Sequence, residues 1–187
     1  DFIIDSRGAY ITGANTTSFV GPSNSIFDYK NMTTSLYLNN LSIEKDNNTG
    51  LLTFRSLGRT SDYTQEANTI AVVNGLLSVT KGMINYQDFR IDAKADIVNG
   101  GVIGLESQGR LRLNGAVKQN IRIPSDFNNA GFGRIVVNNA LDVQLSGNNV
   151  ELIRDLILES GVFDLQNFGI TVDALSTSGT FNDKTMV

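Results

Sequence analysis

The chain has 187 residues, a formal net charge of −4, 41% hydrophobic and 18% charged residues, and neither Cys nor His. That size and apolar content give one domain with a continuous core and argue against disorder. The missing residue types exclude disulfides, thiolate metal sites and a histidine general base, and scattered Lys and Arg exclude the cation clusters that bind nucleic acid.

Short apolar runs dominate in chain order. They lie at Leu36–Leu38, Leu41–Ile43, Leu51–Phe54, Ile70–Val73, Leu77–Val79, Met83–Tyr86, Val102–Leu105 and Leu111–Leu113. The last third adds Ile121–Ile123, Ile135–Val137, Val143–Leu145, Leu156–Leu158, Val162–Leu165 and Ile170–Val172. Asn, Gly, Ser and Asp separate them, residues that accept positive φ or form Asx turns, so each run reads as a strand. One stretch, Asn149–Leu158, also fits a helix through Val150, Ile153, Leu156 and Ile157. The β-branched residues and Gly161 favour strands there. No run approaches the roughly 18 apolar residues of a membrane span.

Dense short strands fit a solenoid or an antiparallel sandwich, and internal repetition favours the first. Residues 77–91 match 156–170 without a gap, sharing Leu, Gly, Gln, Phe and Ile, with Gln87/Gln166 and Phe89/Phe168 in register. Leu41–Ile43 pairs upstream with Ile135–Val137, so the repeat is 41–91 against 135–170. Its first copy carries an extra stretch, Arg55–Thr69, that reads as an outward loop. The Asn pairs 39–40, 47–48, 128–129, 138–139 and 148–149 fall where corners are needed and can form side-chain ladders. The fold expected is all-β, a parallel β-solenoid (β-helix) of short strands with Asn/Gly/Ser corners over 1–187. At roughly 20 residues per winding it has about nine windings and a length on the order of 40 Å. The antiparallel β-sandwich is the alternative.

A resemblance rests on Gly131-Phe-Gly-Arg-Ile-Val-Val-Asn-Asn-Ala140, Val143-Gln-Leu-Ser-Gly-Asn148 and Leu156-Ile-Leu-Glu-Ser-Gly-Val-Phe-Asp-Leu165. Tyr10-Ile-Thr-Gly13 and Ser18-Phe-Val-Gly-Pro22 add to it. This succession resembles repeats of very large surface and gliding-associated adhesin-like proteins of the Bacteroidetes. The resemblance covers about two thirds of the chain and implies export by the type IX route, cell-surface localisation and a stalk or adhesin role. It carries no catalytic residues. Arg55–Thr69 and Ala116–Asn120 depart from its pattern. The start at Asp1 without a basic leader reads as a mature or internal segment, and Thr185-Met186-Val187 reads as the start of a further strand.

Candidate sites are few. Asp88, Asp92 and Asp96 recur every four residues and could hold calcium or supply paired carboxylates, but read better as solvated outward positions. Asp46–Gly50 has the front of an EF-hand loop without its closing Glu, and reads as a turn. Phe19, Phe27, Tyr29, Tyr37 and Tyr63 are candidates for a sugar-stacking patch, against ordinary packing. Gly100-Gly101 and Gly131-Phe132-Gly133 lack the Lys and helix of a phosphate loop, and Ser6, Ser107 and Ser160 lack a His for a triad. Asn15, Asn31 and Asn47 begin N-glycosylation patterns, read as coincidence. The best partner surface is the loop with Arg55, Arg59, Asp62, Tyr63, Gln65 and Glu66. No catalytic, cofactor or metal residues are assigned. The expected function is a non-catalytic structural or adhesive module of an extracellular surface protein. Its partners would be neighbouring repeats, like subunits, surface glycans or secretion and motility machinery. The alternatives are a carbohydrate-active β-helix and the subunit of an extracellular filament.

Overall fold

A computed structural model describes residues 2–4, 13–29, 35–55, 69–104, 108–127 and 130–177. These residues form strands, turns and bends, with no helix among them. Consequently no helix among them is long and apolar enough to cross a membrane.

The chain begins with β1 (Phe2–Ile4), β2 (Thr16–Gly21), β3 (Ser25–Tyr29), β4 (Leu36–Leu38), β5 (Asn40–Lys45) and β6 (Leu51–Arg55). It continues through β7 (Thr69–Val73), β8 (Leu77–Lys81), β9 (Met83–Asn85), β10 (Arg90–Ala93), β11 (Ile97–Asn99), β12 (Val102–Ile103) and β13 (Arg110–Leu113). The last elements are β14 (Gln119–Arg122), β15 (Gly131–Asn138), β16 (Val143–Ser146), β17 (Val150–Ser160), β18 (Phe163–Asp164) and β19 (Ile170–Thr177).

Two sheets contain them. A seven-stranded sheet runs β18-β16-β14-β11-β8-β5-β2. A twelve-stranded sheet, strongly curled, has two limbs. One limb is β1-β3-β6-β9-β12 and the other β4-β7-β10-β13. They join at β15, whose Gly131 and Phe132 pair with β12 while Arg134 to Val137 pair with β13. β17 and β19 then follow β15, carrying both limbs in one strand each. Every pairing among the described residues is parallel, which removes the antiparallel sandwich.

The registers place like residues beside like. In the seven-stranded sheet Leu41, Leu77, Ile97, Ile121 and Leu145 form one row. In the twelve-stranded sheet, Leu36, Ala71, Ile91, Leu111, Ile135 and Leu156 form a second. Leu52, Ile84, Ile103, Phe132 and Ile153 form a third. All are buried in one cluster between the sheets. Period-two alternation turns these side chains inward, and each buried aliphatic contributes about 1.5–3 kcal/mol.

Corners are tied by short polar side chains. Asn40 Oδ1 accepts from Leu76 N at 2.7 Å, Asp96 Oδ1 from Asn120 N at 2.8 Å, and Asp142 Oδ1 from Val162 N at 2.9 Å. Elsewhere Asn24 Oδ1 accepts from Leu51 N at 2.9 Å and Asn149 Oδ1 from Gly169 N at 2.7 Å. Each bond joins one strand's corner to the next strand along the sheet, satisfying amides that the ladder leaves over. The Asn pairs 39–40 and 148–149 occupy such corners, as does Asn139 at the end of β15; 128–129 lies outside the described residues.

The helical stripe of Asn149–Leu158 resolves as part of β17. Val150, Ile153, Leu156 and Leu158 are buried. The strand bends between the limbs with two outward residues in succession, and this mimics a helical spacing.

Residues 77–91 and 156–170 share local geometry. Gly82 and Gly161 have φ of 101° and 81°, and Gln87 and Gln166 have φ of 50° and 56°. Leu77 begins a strand of the seven-stranded sheet, whereas Leu156 lies in the twelve-stranded one. Leu41 neighbours Leu77, and Ile135 neighbours Leu156. The first pair is separated by 77 − 41 = 36 positions and the second by 156 − 135 = 21. Residues 56–68, between β6 and β7, lie within the longer interval and outside the described residues.

Candidate functional site

Interior polar groups are the first place to look for chemistry, because burying them costs free energy unless they are bonded. Asn99 takes an inward position in the row after Ile43 and Val79. Its Nδ2 donates to Gly131 O at 3.1 Å and its Oδ1 accepts from Gly101 N at 3.0 Å. Gln119 donates to Ala93 O at 3.0 Å and Ala95 O at 2.7 Å, and accepts from Gly115 N at 2.8 Å and Asn139 Nδ2 at 3.0 Å. These amides hold corners together and present nothing to solvent.

Among the buried titratable side chains, Lys45 and Tyr86 have shifted pKa values. Lys45, at the inward end of β5, donates from Nζ to Ser23 O and Ser25 Oγ, both at 2.8 Å. Burial lowers its pKa, and Asp46 partly restores it. Tyr86 turns into the core after β9, and burial pushes its phenol well above the usual range against a smaller opposing pull from Arg134. Lys45 is 1% exposed and Tyr86 not at all.

The outer face of the second limb differs. Outward positions on β10 and β13 are Arg90 and Asp92, then Arg110 and Arg112, with Arg134 next on β15. Ion pairs lace them. Arg134 Nε bonds Asp155 on the adjoining strand, and its Nη1 donates to Gln108 O at 2.6 Å. Arg112 donates to Glu159 at 2.9 Å. β15 lies between these partners' strands, so the Arg112 stem passes over the outward Val136, which is 1% exposed yet outside the core cluster.

A groove of about 350 Å³ opens at the start of this face. Ser35, Tyr37, Thr69, Val72, Asn74, Arg90, Asp92, Lys94 and Asn114 line it. Tyr37, between the inward Leu36 and Leu38, is 58% exposed. Beside it along the row come Val72, Asp92 and Arg112. Asp92 is almost fully buried: Arg90 Nε stands 2.8 Å from one oxygen, and Asn114 Nδ2 donates to the other at 2.9 Å. The Arg90 contact is a charge pairing whose angle is too bent for a hydrogen bond. Lys94 Nζ reaches Asn114 O at 3.5 Å.

Of the predicted loop Arg55–Thr69, only its two ends are among the described residues, Arg55 as the last residue of β6 and Thr69 as the first of β7. Arg55 donates to the adjoining Asp28 at 2.6 Å. Arg59, Asp62, Tyr63, Gln65 and Glu66 lie outside the described residues. Asp88, Asp92 and Asp96 are not brought together: they occupy a turn, the outer face of β10 and a corner. No group of His, Cys, Asp or Glu able to hold a metal occurs among the described residues. Asp46–Gly50 is a turn in which Asn47 Oδ1 accepts from Thr49 N at 3.0 Å and Thr49 Oγ1 at 2.9 Å.

The aromatic set divides. Phe19 and Phe27 have ring centroids 5.9 Å apart, and Phe27 stacks on Phe54 at 5.4 Å. They pack the core, while Tyr37 stands outward. Tyr63 lies outside the described residues, and nothing is assigned to the Tyr29 side chain. Sequence reading missed Arg90, Lys94 and Asn114. The Arg-x-Asp-x-Lys alternation of 90–94 was the available signal, since alternate residues of a strand share a face. The chain matches no family model, no curated protein and no solved structure.

Proposed function

We propose that the chain is a parallel β-solenoid serving as a non-catalytic structural and adhesive scaffold of an extracellular surface protein. The carrying observation is the continuity of the aliphatic row Leu41-Leu77-Ile97-Ile121-Leu145, strand after parallel strand. A row of that kind forms when each pass of chain stacks on the last, so the core grows along one axis. Corner bonds from Asn40, Asp96 and Asp142 to the next strand support the same reading. A stack of this type separates its two ends by a stiff distance that grows with the number of passes, which suits a stalk. The resemblance to Bacteroidetes surface repeats supports export and surface exposure.

A carbohydrate-active solenoid is the second reading, favoured by the convergence of Arg90, Asp92 and Lys94 on one outward face. Against it, Asp92 is already engaged by Arg90 and Asn114, which suits a fixed hydrogen-bonding group better than a base. Incubating the purified chain with a panel of neutral and acidic polysaccharides tests the non-catalytic assignment. No product is expected, and sustained turnover of any substrate sinks it. Electron microscopy of the chain tests the scaffold: rods are expected, and a compact body without parallel stacked passes overturns it.

A further inference from the structure

We propose that the groove of Tyr37, Asn74, Arg90, Asp92, Lys94 and Asn114 binds an acidic saccharide, a sugar chain bearing carboxylates. The inference deepens the adhesive reading and rests on it for the exposure of this face outside the cell. Four observations lead to it. Tyr37 offers a ring to solvent, although its strand neighbours are buried. An exposed ring on a sheet surface is a stacking platform for the apolar face of a pyranose. Asp92, almost fully buried, holds Arg90 and Asn114 in place, so the polar side chains of the groove are preorganised before binding. Arg90 and Asp92 balance each other, and Lys94 is then the cation left to attract an anion. The groove crosses β4, β7 and β10 and reaches Asn114 beyond β13, over parallel strands spaced about 4.8 Å apart. An extended chain fits it better than a compact metabolite. A polyphosphate or nucleic acid would set its charges against Asp92, and a saccharide with intermittent carboxylates would not.

Isothermal titration of the purified chain with hexagalacturonate, its methyl ester and cellohexaose tests the proposal. Saturable binding of hexagalacturonate is expected, weakening as salt rises, with at least about tenfold weaker binding of the two neutral oligomers. Tyr37→Ala and Lys94→Met should each weaken binding about tenfold. Tyr37→Phe should stay within about twofold, because the ring is retained. Val20→Ala, exposed on β2 of the seven-stranded sheet, serves as the control and should change nothing. Circular dichroism establishes that each variant keeps its strands. Absence of binding to hexagalacturonate and to a hyaluronan oligosaccharide overturns the proposal, as does equal affinity for the methyl ester or indifference to Tyr37→Ala. Those outcomes leave the scaffold reading standing if the rods persist. Loss of the rods in microscopy sinks the scaffold reading, whatever the titrations give.

Discussion

Residues 77–91 and 156–170 pass through the same conformations: a strand, a glycine corner, a strand, and a turn with Gln in the left-handed region. Asn85 Oδ1 accepts from Gln87 N at 2.7 Å, and Asp164 Oδ1 from Gln166 N at 3.0 Å, so even the turn bond recurs. The first stretch nevertheless starts in the seven-stranded sheet and the second in the twelve-stranded sheet. The comparison separates two levels of coding. Turn geometry follows from a few local residues, while the side of the molecule on which it is used follows from the row waiting on the previous strand. Leu77 docks on Leu41 and Leu156 docks on Ile135, and either aliphatic suits either row.

Substituting the corner glycines should break the comparison most strongly. A Cβ at Gly161 would stand 1.8 Å from Asn139 O, a backbone atom, whereas one at Gly82 would stand 2.7 Å from Gly50 O and close to the Lys45 side chain. Both positions also impose left-handed strain. Gly161→Ala is expected to cost about 3 kcal/mol and Gly82→Ala about 2 kcal/mol, measured from urea unfolding midpoints. An equal or reversed ranking would mean that the second corner relaxes more easily than its packing implies.

Next come the row leucines. Leu77 is enclosed by Leu41 and Ile97, while the outer neighbour of Leu156 is Leu175, which is 58% exposed. Leu77→Ala should cost about 3–4 kcal/mol and Leu156→Ala about 2 kcal/mol by the same measurement, because the better enclosed site leaves the more rigid cavity.

Alkaline titration sharpens the contrast, since the first stretch has Tyr86 where the second has Leu165. Tyr86 is raised in the folded state, so its stabilisation is complete below the unfolded value of 10.0 and is lost as pH rises beyond it. The loss should approach about 1.4 kcal/mol per pH unit and vanish in Tyr86→Phe. Lys45 acts oppositely. Its folded pKa is lowered, so the unfolded chain binds the extra proton below 10.5, and stability rises as pH climbs through that window. Lys45→Met should flatten this rise. Denaturation midpoints between pH 8 and pH 12, on the order of one measurement per half unit, separate the two slopes.

The smallest effect belongs to the turn glutamines. Gln87→Gly and Gln166→Gly should each stabilise by about 0.5–1 kcal/mol, because glycine accepts the left-handed region without the Cβ clash while losing some chain entropy. Thermal midpoints would show it, and a loss of stability at Gln166 alone would assign weight to its contact with Asp164.

Much of the strand content was legible where aliphatics alternate, as at Leu36–Leu38, Leu77–Val79 and Val143–Leu145. β1, β2, β3, β10 and β11 escaped; inward Asn99, the charged Arg90 and Asp92, and the mostly polar β2 break the apolar pattern. The outward Val72 and Val136 likewise run against simple alternation. They are 8% and 1% exposed, Val136 beneath an arginine stem, so their apolar character is used on the outer side of the sheet. The groove was hardest to read. Tyr37, Asp92 and Asn114 are far apart in sequence, and parallel registers alone bring them to one face.

Composition and alternation by themselves determined that the described residues are β without helix and that glycine and asparagine bend the chain between many of its strands, because these depend on φ preferences and neighbours a few residues apart. Tertiary structure decided the parallel pairing, the sheet each strand joins, and the company of Tyr37, because those depend on which earlier strand offers a matching aliphatic row, and many rows in this chain are chemically alike.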